Sequence, residues 1–304
     1  MLFRSAIVEL GWFGWQCGFF GQTIHAMFPN AGIITEPQIA GVWGGLLMMT
    51  TAYLGYKGLE LLSNIAAPLI LLTCIAGCVI AINKVGGMNA FNEITIKGAG
   101  NMTLATGVVS VIGAYAMGAV LQPDLTRYGK KCSHSVTGAV FGFMVANSFV
   151  ILAGYVITVA CNTTDVSVAL LRIFGAWSLV MLIFAQWTTN DNNLYFSSLA
   201  ATVAFPQFKK KHIVLVFGII ATIAGAFGLI NYFTIWLGLL GTGIPPVAGI
   251  LILDYFMVKK QEYTFGEGTV HRFCSLPAVV AWISGCIVGD RKSTRLNSSH
   301  QPLS

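Results

Sequence analysis

The chain has 304 residues, of which 56% are hydrophobic and only 9% are charged, and its mean hydropathy is +0.75. Because a soluble domain carries roughly 25% charged residues, this composition indicates a membrane protein with several spans. The formal charge is +6, but the basic residues lie in short loops, so we expect a lipid bilayer and no nucleic acid as partner. The seven cysteines lack the paired spacing of a metal site and are interpreted as small core residues.

Both ends of the chain look foreign. Residues 2–5 can be encoded by CTCTTCCGATCT and residues 290–293 by GATCGGAAGAGC, and these strings are reverse complements over their shared bases. This relation is typical of a sequencing adaptor. We therefore predict adaptor-like ends at residues 1–5 and 290–304, and a membrane domain at residues 6–289 that is cut at both sides.

Apolar stretches of about 20 residues recur along the chain and predict membrane-spanning helices. The predicted spans are 6–28, 38–56, 60–83, 103–122, 136–160, 168–201, 212–230 and 232–257, with a ninth beginning near residue 276. Alternate loops hold nine basic residues, whereas the other set holds three: Lys84, Lys97 and Arg172. The positive-inside rule places the basic loops in the cytoplasm of a multi-pass protein of the cell membrane, and the first span then runs outwards.

A polar run at residues 186–195 interrupts the sixth predicted span. Its centre, near residue 190, lies midway between the loop anchors Arg172 and Lys209, which places it near the middle of the bilayer. Polar groups at that depth are costly and usually line a substrate or ion path. The run is therefore the first candidate for a transport site.

On a helix, Ala185, Thr188, Thr189 and Asn192 share one face. Two hydroxyl groups and a backbone carbonyl are hard oxygen donors, so we predict a sodium site at Ala185, Thr188 and Thr189. The alternative is that both threonines bond back to carbonyls of the preceding turn. Asp191 could carry a proton or pair with a partner. The remaining candidates are assigned to coupling or gating: Asn190, Asp191 and Asn192.

The first span carries a second candidate cluster. Trp12 and Gln16 lie one turn apart, so that a planar heterocycle could stack on the indole and hydrogen-bond to the amide. Glu9 lies three residues before Trp12 on the same side, and an acid inside a span favours a face that lines a pore. The alternative is that Trp12 and Gln16 serve only in packing or at the membrane interface.

Glycines and prolines mark two further spans. The segment 113–118 is followed by Pro123 and Asp124, and the segment 241–246 combines two glycines with two prolines. Such residues predict a broken helix, whose unwound backbone can contact a ligand. The alternative is that the glycines only allow helices to pack closely.

Four segments together resemble the cytosine permeases of the nucleobase–cation symporter family. They are residues 11–14, 123–129, 187–192 with 194–195, and 244–246 with 254–255. The resemblance implies an all-α membrane protein, a leucine-transporter-like inverted-repeat helical bundle of two five-span repeats plus two helices. About eight to nine of the twelve spans would be present, starting at the third. The family's broken first helix and its share of the cation site would then be absent, so we expect no transport by this segment alone.

The resemblance also assigns roles to single residues. Trp12 would stack on the base, and Thr188, Thr189 and the Ala185 carbonyl would hold sodium. The fourth span would contact the base through three further residues: Gly113, Ala114 and Tyr115.

The chain departs from that family at three positions. The family has Gln, Ser and Asn where this chain has Glu9, Ala114 and Ala185. Gln186 or Gln16 would then substitute, and hydantoin-type relatives carry Gln at the position of Gln16. The resemblance therefore implies a nucleobase, such as cytosine or a purine, as the substrate. The three departures leave open that it differs from cytosine itself.

The expected activity is secondary transport, with uptake of a nucleobase coupled to a cation, sodium or a proton. We expect a monomer without any other cofactor. The alternatives are a symporter of the same fold for hydantoin, a vitamin or an amino acid, and a structural or channel-like membrane protein. We do not expect an enzyme, because the chain has no His-Glu-x-x-His motif and no Gly-x-Ser-x-Gly motif.

Overall fold

The computed structural model describes residues 2–97, 104–127, 129–260, 262 and 275–298. Its secondary structure is 88% helical, with no strand among the described residues. The α-helices are α1 Leu2–Met27, α2 Pro37–Leu54, α3 Tyr56–Lys84, α4 Met88–Lys97, α5 Leu104–Thr126, α6 Cys132–Ala139, α7 Asn147–Ala160, α8 Val166–Phe174, α9 Trp177–Ala204, α10 Lys210–Ala226, α11 Phe233–Leu253 and α12 Leu276–Ser298. A π-helix, Val140–Ala146, joins α6 to α7, and another, Asp254–Val258, continues α11. Residues 1 and 299–304 of the predicted adaptor-like ends lie outside this description, as does Tyr128 of the family-like segment 123–129.

The chain folds as two compact units. Among the described residues, the larger unit comprises 2–97 and 129–232, and the smaller unit comprises 104–127, 233–260, 262 and 275–298. The larger unit contains α1 to α4 and α6 to α10, whereas the smaller unit contains α5, α11 and α12.

Four helices that pack on one another, α1, α2, α9 and α10, form the centre of the larger unit. Glycines allow α1 and α10 to touch backbone to backbone. A Cβ atom on Gly14 would lie 2.9 Å from the Ala221 carbonyl oxygen, and one on Gly18 would lie 2.9 Å from the Gly225 carbonyl oxygen. Helices in lipid associate through such close packing, because the lipid supplies no hydrophobic driving force between them. The larger side chains of this core are Phe13, Phe20, Met48, Leu194 and Val214.

In the smaller unit, both α5 and α12 pack on α11. A Cβ atom on Gly113 would lie 2.5 Å from the Leu237 carbonyl oxygen. The broken helix predicted at residues 113–118 is therefore wrong: α5 is continuous from 104 to 126, and its glycine serves helix packing. The segment 241–246 is likewise helical, and Trp282 of α12 donates a 2.8 Å hydrogen bond to the carbonyl oxygen of Gly243.

The prediction of one continuous span at residues 168–201 is also wrong, because the structure divides this stretch into α8 and α9. Gly175 adopts φ 58° and ends α8, a conformation that costs glycine little. The Asp165 side chain caps the start of α8 by accepting from the backbone N–H groups of Ser167 and Val168. Arg172 donates a 2.5 Å hydrogen bond to the Cys161 carbonyl oxygen, which holds α8 against the end of α7.

By length and composition, three helices among the described residues could cross a membrane: Tyr56–Lys84, Cys132–Ala160 and Ile235–Val258, with Leu276–Gly289 shorter. Helices α1 and α9 carry the candidate polar residues and bury them against neighbouring helices. Their lower hydropathy therefore reflects an interior position within the larger unit.

Candidate functional site

Helix α9 carries the polar run at its centre, because residue 190 lies midway between Trp177 and Ala204. The sequence prediction that this run sits at the middle of a span therefore agrees with the helix bounds. Helix α9 packs on α1, α2, α3 and α10, and the side that carries Thr188 and Thr189 is half-buried to exposed. The polar residues divide between this side and the side towards α1.

Two side chains of α9 donate hydrogen bonds to backbone carbonyl oxygens of α1. Ser197 Oγ donates to the Ala6 carbonyl oxygen over 2.7 Å. Asn190 Nδ2 donates to the Phe13 carbonyl oxygen over 3.3 Å, two turns farther along. Residue numbers fall on α9 as they rise on α1, so these bonds fix an antiparallel register between the two helices.

Asn190 is fully buried and lies where three helices meet. Besides its bond to Phe13, its Nδ2 lies 3.5 Å from Cys17 Sγ of α1 and 3.3 Å from Met48 Sδ of α2. Its Oδ1 accepts from Asn193 Nδ2 over 3.4 Å. Asn190 thus ties α9 to both neighbours, and its predicted part in coupling or gating stays a prediction.

Asp191 is also fully buried, but it is placed differently. Neither of its carboxylate oxygens has a hydrogen-bond partner among the residues that the structure describes. The neighbouring hydroxyl of Thr51 on α2 accepts from Trp187 Nε1 over 2.9 Å and donates to the Met48 carbonyl oxygen over 3.2 Å. Sequence reasoning missed Thr51, although a threonine pair in an apolar helix is a signal that could have identified it.

The partly exposed side of α9 brings together the three atoms of the predicted sodium site. Thr188 Oγ1 and Thr189 Oγ1 each lie 3.0 Å from the Ala185 carbonyl oxygen, to which both donate. Thr188 Oγ1 is also 2.9 Å from the Phe184 carbonyl oxygen, and Asn192 Nδ2 donates to the Thr188 carbonyl oxygen over 2.6 Å. The structure therefore shows the alternative arrangement, in which both threonines donate back to carbonyl oxygens of the preceding turn.

Back-bonding and cation binding are compatible at this point. Each hydroxyl donates its single proton to a carbonyl and keeps lone pairs that can coordinate a cation. Thr189 is exposed and Ala185 and Thr188 are half-buried, so a cation could reach these oxygens. The two hydroxyl oxygens keep lone pairs for a cation, whereas the Ala185 carbonyl oxygen already accepts both hydroxyl protons. The predicted sodium site stays a prediction.

On α1, the predicted substrate residues share the face that the sequence assigned to them. Glu9 is buried with 6% exposure, and Trp12 is half-buried with its ring edge-on to Trp15 at 5.8 Å between centroids. Trp15 in turn stacks on Phe19 at 5.2 Å. The Oε1 atom of Gln16 is buried and has no hydrogen-bond partner within the described ranges.

Gln186 contacts α1 near the end of that helix, through Thr23. It is 5% exposed, and its Nε2 donates to Thr23 Oγ1 over 3.3 Å, while its Oε1 has no hydrogen-bond partner. Thr23 also lies 3.2 Å from Ser167 Oγ at the start of α8. Sequence reasoning missed Thr23, which follows Gln16 by two turns on the same face of α1.

The three predicted substrate residues of α5, Gly113, Ala114 and Tyr115, belong to the smaller unit. Gly113 is buried against α11, as described above, and Ala114 and Tyr115 are half-buried. Their predicted contacts with a base stay predictions.

A family model described as a permease for cytosine/purines, uracil, thiamine and allantoin matches residues 2–290. The chain belongs to this permease family. The cytosine permease of Escherichia coli strain K12 is 30% identical over 257 residues, which cover 83% of this chain and 60% of the relative. The hydantoin permease of Microbacterium maritypicum is 22% identical over 291 residues, which cover 86% of this chain and 58% of the relative. The permease chain therefore spans about 60% of the length of these curated relatives.

One solved structure shows the fold. The structure of Mhp1, a nucleobase-cation-symport-1 family transporter, in a closed conformation with bromovinylhydantoin bound, is similar with a TM-score of 0.65 and 18% identity. The match covers 100% of this chain and 76% of Mhp1. It confirms the predicted leucine-transporter-like helical bundle of a membrane-embedded protein. The relatives are permeases, so the prediction that the chain is not an enzyme is also confirmed.

Proposed function

We propose that the complete protein takes up a nucleobase or a related heterocycle in symport with a cation, which is sodium. It works as a monomer in the cell membrane with its basic loops in the cytoplasm. Relatives named for cytosine and for hydantoin support a nitrogen heterocycle as the substrate. The oxygen cluster at the centre of α9 supports sodium as the coupling ion.

The oxygen cluster is the observation that carries the proposal. Thr188 Oγ1 and Thr189 Oγ1 each lie 3.0 Å from Ala185 O, on the more exposed side of α9. Neutral oxygen ligands suit an alkali cation better than a transition metal, which prefers nitrogen or sulfur. A cation held here would lie at the middle of α9, the depth at which transporters of this kind bind their ions.

The substrate would lie on the α1 face that carries Trp12. The half-buried indole offers a flat surface for stacking a heterocycle. Gln16 presents a buried carbonyl oxygen that still needs a donor, and an N–H group of a base would supply it. This arrangement needs no reacting group, in keeping with transport instead of catalysis.

The test is Thr189→Ala in the full-length protein, assayed as uptake over a series of sodium concentrations. Losing one cation ligand should raise the sodium concentration for half-maximal uptake about tenfold or more. Because the substrate face on α1 is unchanged, the maximal uptake at saturating sodium should fall much less.

Thr202→Ala is the matched control, since Thr202 lies on the same helix and back-bonds to Leu199 O over 2.6 Å but is three turns away. It should keep the wild-type sodium dependence. Unchanged sodium dependence in Thr189→Ala would reject the sodium site. Uptake that does not saturate with substrate would reject a symporter and favour the channel-like alternative.

A further inference from the structure

Three consecutive lysines begin α10, and the proposed transport cycle does not use them. They are Lys209, Lys210 and Lys211. Lys210 Nζ lies 3.1 Å from the centre of the Tyr195 ring on α9, and Lys211 Nζ lies 5.1 Å from the centre of the Tyr53 ring on α2. A cation is attracted to the electron-rich face of an aromatic ring. The two rings therefore hold two ammonium groups in place beside the first turn of α10.

The helices that pack on α10 offer these lysines no acid at the surface. Residues 192–253, which include all of α10, contain no aspartate or glutamate, and α2 contains none either. The other two helices that pack on α10 hold one acid each, Glu9 on α1 and Asp191 on α9, and both side chains are buried. Lys209 and Lys211 are exposed. An anion that meets them at the surface therefore comes from outside these helices.

Exposed apolar side chains adjoin the three lysines. Leu54, at the end of α2, is 68% exposed, and Phe208, just before the lysines, is 54% exposed. On α10, Leu215 and Val216 are exposed one turn beyond the lysines. In a membrane-embedded protein, such side chains face acyl chains, and lysines beside them reach the depth of the lipid headgroups. The cluster therefore combines positive charge with a surface suited to lipid.

The two tyrosine rings also lower the cost of binding a phosphate group. A lysine side chain loses rotamer freedom when a ligand fixes its ammonium group, and at Lys210 and Lys211 part of that freedom is already lost. Each ammonium group has three N–H donors and turns one side to its ring, so it can still donate to phosphate oxygens. No side chain caps the start of α10, so the positive end of the helix dipole adds to the attraction for an anion.

We propose that the start of α10 binds the phosphate group of an anionic phospholipid through Lys210 and Lys211, with Lys209 as a further charge. The exposed apolar side chains beside the lysines contact the acyl chains, which a free phosphate ion lacks. A headgroup held in this way links α10 to the tyrosine rings of α2 and α9. The site is separate from the proposed transport function, because it includes neither the α1 face with Trp12 nor the oxygen cluster of α9.

The experiment measures lipid binding to the full-length protein in a neutral detergent by native mass spectrometry. Phosphatidylglycerol is compared with phosphatidylcholine of the same acyl chains, so that only the headgroup charge differs. In the wild type, phosphatidylglycerol should bind about 10- to 30-fold more tightly, since each lysine near an anionic lipid contributes about fivefold. In the double variant Lys210→Gln with Lys211→Gln, this preference should fall to about threefold or less.

Tyr53→Leu keeps both lysines and removes one ring, so it should weaken phosphatidylglycerol binding about two- to fivefold. The matched control is Lys130→Gln with Lys131→Gln, an exposed pair before α6 in the same unit, which should keep the wild-type preference.

Equal binding of the two lipids by the wild type overturns the inference, and so does an undiminished preference in the variant of Lys210 and Lys211. An equal loss in the control pair also overturns it, because net charge and not this site would then be responsible. Inorganic phosphate is added at the ionic strength of a sodium chloride control. If phosphate displaces the lipid, the site takes a free phosphate ion and the lipid assignment is wrong. Uptake is not measured, so the proposed function is tested independently.

Discussion

The two sides of α9 carry similar polar residues but use them in different ways. On the packed side, Asn190 and Ser197 donate across to backbone carbonyl oxygens of α1. On the other side, Thr188, Thr189 and Asn192 bond within α9 itself. The first set fixes a neighbouring helix in register, whereas the second set leaves oxygen lone pairs directed away from the helix.

This difference shows that a polar run in a membrane helix need not be a single site. A polar side chain that bridges two helices is already satisfied and has little capacity left for a ligand. A hydroxyl that bonds back to its own helix is satisfied and still able to coordinate. Ligand binding is therefore expected on the second side, and sensitivity of the fold to substitution is expected on the first.

The largest effect should come from Asn190→Asp compared with Asn192→Asp. The same change at position 190 buries an acid beside Asp191 and removes the donor to Phe13, so it should destabilise the fold by about 3–5 kcal/mol. At position 192, which is half-buried, the loss should be about 1 kcal/mol or less. Melting temperature and yield after detergent extraction measure both, and equal losses would show that the two sides of α9 are not distinct.

The next largest effect should come from Asp191→Asn and should be stabilising. Both carboxylate oxygens of Asp191 are buried without a hydrogen bond, whereas an amide is neutral and of the same shape. We expect a gain of about 1–3 kcal/mol in the free energy of unfolding, because the amide removes the cost of burying a charge that has no opposite charge beside it. Thermal unfolding of the two proteins in the same detergent measures it. A lower melting temperature in Asp191→Asn would mean that the carboxyl group has a partner that the helices do not supply.

The smallest effect compares Ser197→Ala with Ser198→Ala, two neighbouring serines that are both fully buried. Ser197 donates to Ala6 of α1, whereas Ser198 donates to the Tyr195 carbonyl oxygen of its own helix. Removing the bond between helices should cost about 0.6 kcal/mol, the average measured for such bonds in membranes. Removing the local bond should cost less than that. A larger loss for Ser198→Ala, measured by thermal unfolding, would contradict the separation of bridging and local bonds.

The sequence predicted most helices well, because apolar length and loop charge are properties of each segment alone. Predicted span 6–28 matches α1 and span 38–56 matches α2 to within four residues. The break at Gly175 was missed because a single glycine inside an apolar stretch is ambiguous. The structure shows that Gly175 has a positive φ and ends α8. It also shows that Arg172 bonds to the end of α7. The opposite error occurred at Gly113, where a glycine predicted to break a helix instead lets α11 approach.

The shared faces within one helix were also predictable, since they depend only on the spacing of residues. Ala185, Thr188 and Thr189 do bring their oxygens together, and Glu9, Trp12 and Gln16 do share a face. Contacts between helices were not predictable in the same way. Thr23 and Thr51 carried no signal strong enough to pair them with Gln186 and Trp187.

By itself, the sequence determined that this protein is a helical membrane protein and which residues share each helix face, because composition and helical periodicity are local properties. Only the tertiary structure decided that Asn190 bridges three helices, while the carboxylate of Asp191, the next residue, has no hydrogen-bond partner in the described part of the chain. Adjacent residues on a helix point about 100° apart, so they meet different neighbours. The neighbours of a side chain depend on which helices pack together, as α1 and α10 do through their glycines. The order of residues along the chain does not determine that packing directly.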